Sequence, residues 1–215
     1  MRCVTTNSDD ADLVARAKGG CAASAAALAA RHQVAVVGYA GRLLARCGGS
    51  RADAEDVAQE SLVRALSRLD RHDPRWPFAT WLFAITRRRC LNHLRAERRR
   101  AVRETARAAP DRSAGRDDPQ AVAAAREESA RLWAVAARAL PERQFSALWL
   151  RTAEDLPVAE IARVLRRPPA TVKVLLFRAR RRLASVLGPA DGRESPMTLP
   201  MRAAVPVDGR RLAHG

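Results

Sequence analysis

Strand-forming patterns are almost missing from this chain. β-branched alternation is rare, Ala, Leu and Arg dominate, and nothing resembles the strands of an α/β enzyme. Cysteine is sparse as well. Cys3, Cys21, Cys47 and Cys90 are widely spaced and form no paired motif, so neither a zinc cluster nor a disulfide framework is expected. Cys90 and His93 stand one helical turn apart, but two ligands cannot close a tetrahedron, so no metal and no cofactor is expected. No secretory apolar segment follows the acidic start NSDDAD, and no apolar run is long enough for a bilayer. Reduced thiols in a cytoplasmic protein without membrane insertion are the expectation. The acidic residues do not converge with histidine into a metal-dependent catalytic set, so a nuclease or other enzyme is not expected.

What the chain has in excess is positive charge. Its 215 residues carry 39 Lys and Arg against 23 Asp and Glu, a formal net charge of +16. Such an excess points to a polyanionic partner. It is concentrated in two places: residues 71–107 hold eleven Arg against three acids, and residues 166–182 hold six Arg and one Lys against none. Two separate basic surfaces suit two contacts with one long polyanion.

Aromatic residues are scarce, four Trp, four Phe and one Tyr, yet Trp76, Phe78, Trp81 and Phe83 crowd into one window. Arg87, Arg88, Arg89, Arg95, Arg98, Arg99 and Arg100 follow at once. At 100° per residue, Arg88, Asn92, Arg95 and Arg99 form one polar stripe with Trp81 at its N-terminal end, while Leu91 and Leu94 turn toward a core. Flat rings beside guanidinium groups suit both phosphate neutralisation and stacking on unpaired bases. The competing reading is a helix whose aromatics fill the core and whose arginines are solvated.

The remaining pattern is helical throughout. Ser8 or Asp9 is expected to cap a first helix that Gly19-Gly20 ends. A long Ala-rich helix runs from about Cys21 to Cys47, its apolar face marked by Val36, Ala40, Leu43, Leu44 and Cys47. The next, Ala52 to Leu69, buries Ala58, Leu62, Ala65 and Leu69. Along its other side lie Asp53, Asp56, Glu60 and Val63, with Gln59 beside them. This acidic stripe reads either as a solvated face near a helix N-terminus or as a docking surface for a basic helix.

Past Arg100 the texture changes to Pro, Gly, Ser and mixed charge, so residues 101–120 read as a flexible linker. Helical patterning resumes near Ala121 and stops at Pro141. Further helices are expected at Glu142–Thr152, Val158–Leu165 and Ala170 to about Leu187, the last two joined at Arg166-Arg167-Pro168-Pro169 as a helix-turn-helix. In the last helix Val172, Leu176, Ala179 and Leu183 are core positions, and Val174, Phe177, Arg178 and Arg181 spread over the outward face. Residues 189–215 read as a disordered tail. The expected fold is all-α: one helical domain over 1–100 and a second, with the helix-turn-helix, over 121–188.

In order and spacing, four segments resemble the extracytoplasmic-function sigma factors of bacteria: Asp53–Leu66, Thr80–Arg95, Leu140–Gln144 and Glu160–Leu183. The resemblance implies that Asp53, Asp56, Gln59 and Glu60 dock on core RNA polymerase. It implies that the aromatic-basic stretch opens the promoter minus-ten element, with a flipped base held by the loop that follows. Trp76, Phe78 and Trp81 would stack, and Arg87, Arg88, Asn92 and Arg95 would contact phosphates and bases. Thr171, Lys173, Val174, Phe177, Arg178 and Arg181 would meet the upstream minus-thirty-five element as duplex. An anti-sigma factor is a further candidate partner. The chain departs from the family at Arg88, commonly Asn, at Val174 and Leu175, usually Ser and Arg, and at Pro168-Pro169. Two other readings stand beside this one: a one-component helix-turn-helix regulator, and a degenerate family member that binds polymerase but initiates weakly.

Overall fold

The computed structural model describes residues 5–104 and 123–187, and the described residues form eight α-helices, one 3₁₀ turn and no strand. They are α1 (Thr5–Lys18), α2 (Ala22–Ala45), α3 (Arg51–Leu66), the 3₁₀ turn Leu69–Arg71, α4 (Phe78–Glu104), α5 (Ala123–Ala139), α6 (Glu142–Thr152), α7 (Val158–Leu165) and α8 (Pro169–Leu187). The all-helical expectation holds. Ser8 and Asp9 lie inside α1 rather than capping it. Helix α4 continues through Glu104, past the expected boundary at Arg100. Residues 105–120 of the expected linker, the expected tail and Cys3 lie outside the described residues.

Local chemistry sets the helix ends. The Ser50 hydroxyl accepts the Asp53 N–H at 3.1 Å, and the Asp53 carboxylate accepts the Ser50 N–H at 2.8 Å, a reciprocal capping box at the start of α3. Before it, Gly48 takes a left-handed φ of 79°, and a Cβ on Gly49 would meet that of Leu44 at 2.8 Å. That turn ends the apolar face of α2 at Leu44. Cys47 therefore lies beyond it, exposed, and not in the core as expected.

One apolar core results, with contributions from both halves. In the first half, Tyr39, Leu43 and Leu44 of α2 and Ala58, Leu62 and Ala65 of α3 pack with Phe78, Leu82, Cys90 and Leu94 of α4. With buried Thr86 the α4 members recur every four residues, so one stripe of that helix is committed to the core. In the second half, Trp133 of α5 packs on Trp149 and Phe145 of α6, with ring centroids 4.5 and 5.9 Å apart. Val172, Leu176, Ala179 and Leu183 bury the inner face of α8, as expected.

The halves touch. Helix α4 packs on α7, and α2 on α5 and α6. Tyr39, fully buried, donates its hydroxyl hydrogen to Ser146 Oγ at 3.0 Å, and burial raises its pKa well above the usual phenol range.

Candidate nucleic-acid interface

The core stripe of α4 decides what its other faces can do. Phe78 is only 2% exposed, with its ring 5.3 Å from that of His32 and 6.1 Å from that of Trp81. It cannot stack on a base. Its expected role is corrected: Phe78 opens the row Phe78, Leu82, Thr86, Cys90, Leu94, and a ring on that row must be buried. Phe83 is buried for the same reason, its edge 5.6 Å from Tyr39. Burial pushes the Cys90 thiol up to about 12, so it is an inert core group.

Opposite this row, Arg88, Asn92, Arg95 and Arg99 are all exposed and share one face. Asn92 Oδ1 accepts from Arg95 Nη1 at 3.4 Å, and Arg99 Nε donates to the Arg95 carbonyl at 3.2 Å. Trp81, half-buried, heads this face. Arg87 stands apart: its Nε and Nη2 donate to the two carboxylate oxygens of Glu142 on α6, at 2.8 and 2.9 Å. Arg89 pairs with Glu60 of α3.

The segment before α4 is a rigid loop. Asp73 accepts from the Arg75 backbone and guanidinium, and those bonds hold its carboxyl down at about 2. Beneath the loop lies a cleft of about 230 Å³, bordered by Asp10, Val14 and Lys18 of α1 and by His72, Arg75 and Trp76. Both ring nitrogens of the buried His72 lack a partner among the described residues. Its ring sits 5.4 Å from Trp81, and burial lowers its affinity for a proton. The Trp76 face is covered at 4.0 Å by the guanidinium of Arg163. Sequence reasoning missed His72, Lys18 and Asp10. A lone histidine between a helix and an Asp-Pro loop was the available signal for His72. The α1 residues left none.

On α3, Asp56, Gln59, Glu60 and Val63 are exposed along one side. Asp53 belongs to the capping box, whose hydrogen bonds from Ser50 hold its carboxyl below the usual range. It also lies 3.8 Å from His93. On α8, Thr171, Lys173, Val174, Phe177, Arg178 and Arg181 are all exposed, with Phe177 at 64%. Leu175 is half-buried and packs against the core, so it is not part of that outward face. Arg166, left-handed with φ 52°, closes α7, and the Arg167 N–H reaches the Ala162 carbonyl at 2.9 Å. Pro169 starts α8, where a missing N–H costs nothing.

Two helical units thus carry three surfaces: an acidic-apolar face on α3, an aromatic-basic face on α4, and an open helix-turn-helix face on α8. That combination defines a nucleic-acid-binding protein with a protein-docking side. Residues 28–100 match the model of sigma-70 region 2, and residues 131–183 that of sigma-70 region 4. The chain is 32% identical to the ECF RNA polymerase sigma factor BldN of Streptomyces coelicolor, over 85% of this chain and 67% of that protein. It is 30% identical to the RNA polymerase sigma-H factor of Pseudomonas aeruginosa (86% and 96%) and 31% identical to the ECF RNA polymerase sigma-E factor of Haemophilus influenzae (84% and 96%). Among solved structures, CnrH in complex with the cytosolic domain of CnrY aligns at TM-score 0.62 and 28% identity, covering 83% of this chain and 97% of that one. The sigma factor RpoE of Bartonella quintana, solved with the anti-sigma factor NepR, shares the fold at TM-score 0.54 and 22% identity, over 72% and 91%.

The chain belongs to the extracytoplasmic-function family of RNA polymerase sigma factors. It is a promoter-recognising sigma factor whose partners are core RNA polymerase and promoter DNA. Sigma factors are not enzymes, and the one-component regulator is set aside because both halves match sigma regions. Among the described residues, no helix is long and apolar enough to cross a membrane.

Proposed function

We propose a division of labour among the three surfaces. The face of α4 formed by Arg88, Asn92, Arg95 and Arg99 holds the unpaired non-template strand of the minus-ten element, with Trp81 at its upstream end. The observation that carries this is the exposure of those four side chains on one face, clear of the core row. An extruded base enters the cleft under the loop that precedes α4, bordered by Arg75 and Trp76. This reading puts the capturing loop before α4, where the family resemblance put it after the aromatic-basic stretch.

The outward face of α8 reads the upstream element as duplex, Lys173, Arg178 and Arg181 on phosphates and Val174 and Phe177 toward base edges. On α3, Asp56, Gln59 and Val63 carry the docking contact with core polymerase. Glu60 serves it less directly because Arg89 already neutralises it, and Asp53 serves mainly as a cap. The protein works in the cytoplasm, beside the polymerase. An anti-sigma partner fits the likeness to CnrH, which was solved with the cytosolic domain of CnrY.

The test is Arg95→Ala with Arg99→Ala. Losing two phosphate contacts should lower affinity for single-stranded minus-ten DNA by about tenfold at moderate salt. Co-purification with core polymerase should be unchanged. Unaltered DNA affinity would remove α4 from the DNA contact.

A further inference from the structure

Helix α1 ends at Lys18, ahead of residue 28 where the match to sigma-70 region 2 begins, yet it forms one wall of the cleft beneath the loop. Asp10, Val14 and Lys18 line that wall, and His72, Arg75 and Trp76 line the other. The walls are tied at one atom pair: Lys18 Nζ donates to the His72 carbonyl at 3.0 Å, across fifty-four positions. His72 is where the chain leaves the 3₁₀ turn and enters the loop, so a bond there fixes the root of the loop against α1.

Beyond its root the loop is stiff. The Asp73 carboxylate accepts from the Arg75 N–H at 3.1 Å and from its guanidinium at 2.8 Å, and the Trp76 N–H donates to the Asp73 carbonyl at 3.1 Å. Pro74 and Pro77 fix φ on either side. A stiff segment held at its root carries any shift of the root to its far end, which here is Trp76. Helix α1 is anchored in turn. Arg31 Nη1 donates to Asp10 Oδ1 at 2.6 Å, and His32 Nε2 lies 2.7 Å from Oδ2. These contacts pin α1 on α2 and neutralise a carboxylate that would otherwise repel a nucleotide at the cleft. From His32 the rings run in a row, 5.3 Å to Phe78, then 6.1 Å to His72, then 5.4 Å to Trp81.

We propose that Lys18 is a positioning residue for base capture: its bond to the His72 carbonyl holds the Trp76 side of the cleft at the spacing one extruded nucleobase fills. Lys18 does not touch the base; it acts through the loop. The proposal rests on the reading that this cleft takes the extruded base, and it extends the promoter-opening site to a helix outside the region 2 match. Without the bond the loop lifts and contact with the base is lost, while the phosphate contacts of Arg88, Arg95 and Arg99 remain.

The test uses the full-length protein assembled with core RNA polymerase. A single-stranded DNA is selected on the parent complex from a randomised pool, then remade with an abasic nucleotide at each position in turn. The parent should lose about tenfold in affinity at the captured base. Trp76→Ala identifies that position, because it removes the cleft wall and with it that step. Lys18 is exposed, so replacing it leaves the core untouched. Lys18→Met keeps the stem and removes the donor, and should shrink the step to less than about threefold. Lys18→Arg supplies a donor again and should return most of it. A full step in Lys18→Met would overturn the role of Lys18 and leave the cleft reading standing. An equal loss by Lys18→Met on intact and abasic strands would overturn it too, because Lys18 would then act as a general cation or scaffold. So would a step that Lys18→Arg does not restore, since the donor would not be what matters. If Trp76→Ala leaves every step of the parent in place, the cleft captures no base and both readings fall.

Discussion

At the scale of single residues, environment outweighs residue type. Four aromatics crowd the start of α4 and the loop before it within eight positions, and their fates differ by position: Phe78 and Phe83 are core, while Trp76 and Trp81 stay half-exposed. Arg87 and Arg88 are neighbours, yet one is held by a carboxylate across the interface and the other is open. Arg88 occupies a position where the family resemblance leads one to expect Asn. Its planar fork matches the paired acceptors of guanine, so Arg88→Asn should relax a guanine preference in the minus-ten strand by about 1–3 kcal/mol. Competition binding with single-base variants of the strand reads that out, and equal discrimination by both proteins would refute it. Glu154 is a second such case. Burial near Trp149, whose Nε1–H donates to it at 3.1 Å, raises its carboxyl to about 7 from an ordinary 4.5. A carboxyl whose proton is held more tightly in the folded state contributes most below its unfolded value. Its contribution is lost as pH rises from about 4.5 to about 7, on the order of 2 kcal/mol. Urea unfolding of the parent and Glu154→Gln at pH 5 and pH 8 should show the parent losing more stability than the variant. Parallel pH profiles would contradict this.

At the scale of elements, α8 shows how a helix divides its faces. The row Val172, Leu176, Ala179, Leu183 is buried, and the reverse side carries cations around Phe177 and Val174. Hydrogen bonds to base edges are what usually sharpen discrimination, and this face has few uncharged donors. Specificity should therefore lean on the N-terminal half, with the upstream element supplying mainly affinity. Val174→Ser should increase the transcriptional penalty for scrambling the upstream element, measured by run-off synthesis with core polymerase. If the parent is already inactive on scrambled templates, the apolar face reads sequence well and the expectation fails. Leu175 does not belong in that experiment, because a charge there would enter the core. The element boundaries follow the same local rules. Val158–Leu165 and Glu142–Thr152 were legible from apolar spacing and flanking prolines. The start of α1 was not, because Ser8 and Asp9 are good caps that a helix begun earlier runs through.

For the whole molecule, the salient property is that a strongly basic protein neutralises part of its own basic face. Charge summed along the chain counts Arg87 as available to a polyanion, although Glu142 holds it. Freeing that cation should steepen the dependence of single-strand affinity on salt. Glu142→Gln should change the slope of log affinity against log salt by about −0.7 relative to the parent, and identical slopes would show that Arg87 does not reach a phosphate. The all-helical class, the helix-turn-helix, the two basic patches and the core stripe of α8 were determined by the sequence alone. They depend on periodicity and local backbone chemistry, which act over a few residues. Tertiary structure alone decided that Glu142 meets Arg87 across fifty-five positions, that Arg163 covers Trp76, and that His72 borders a cleft with α1. Those pairings join segments far apart in the chain. Nothing local favours them until the apolar core has formed and brought the helices together.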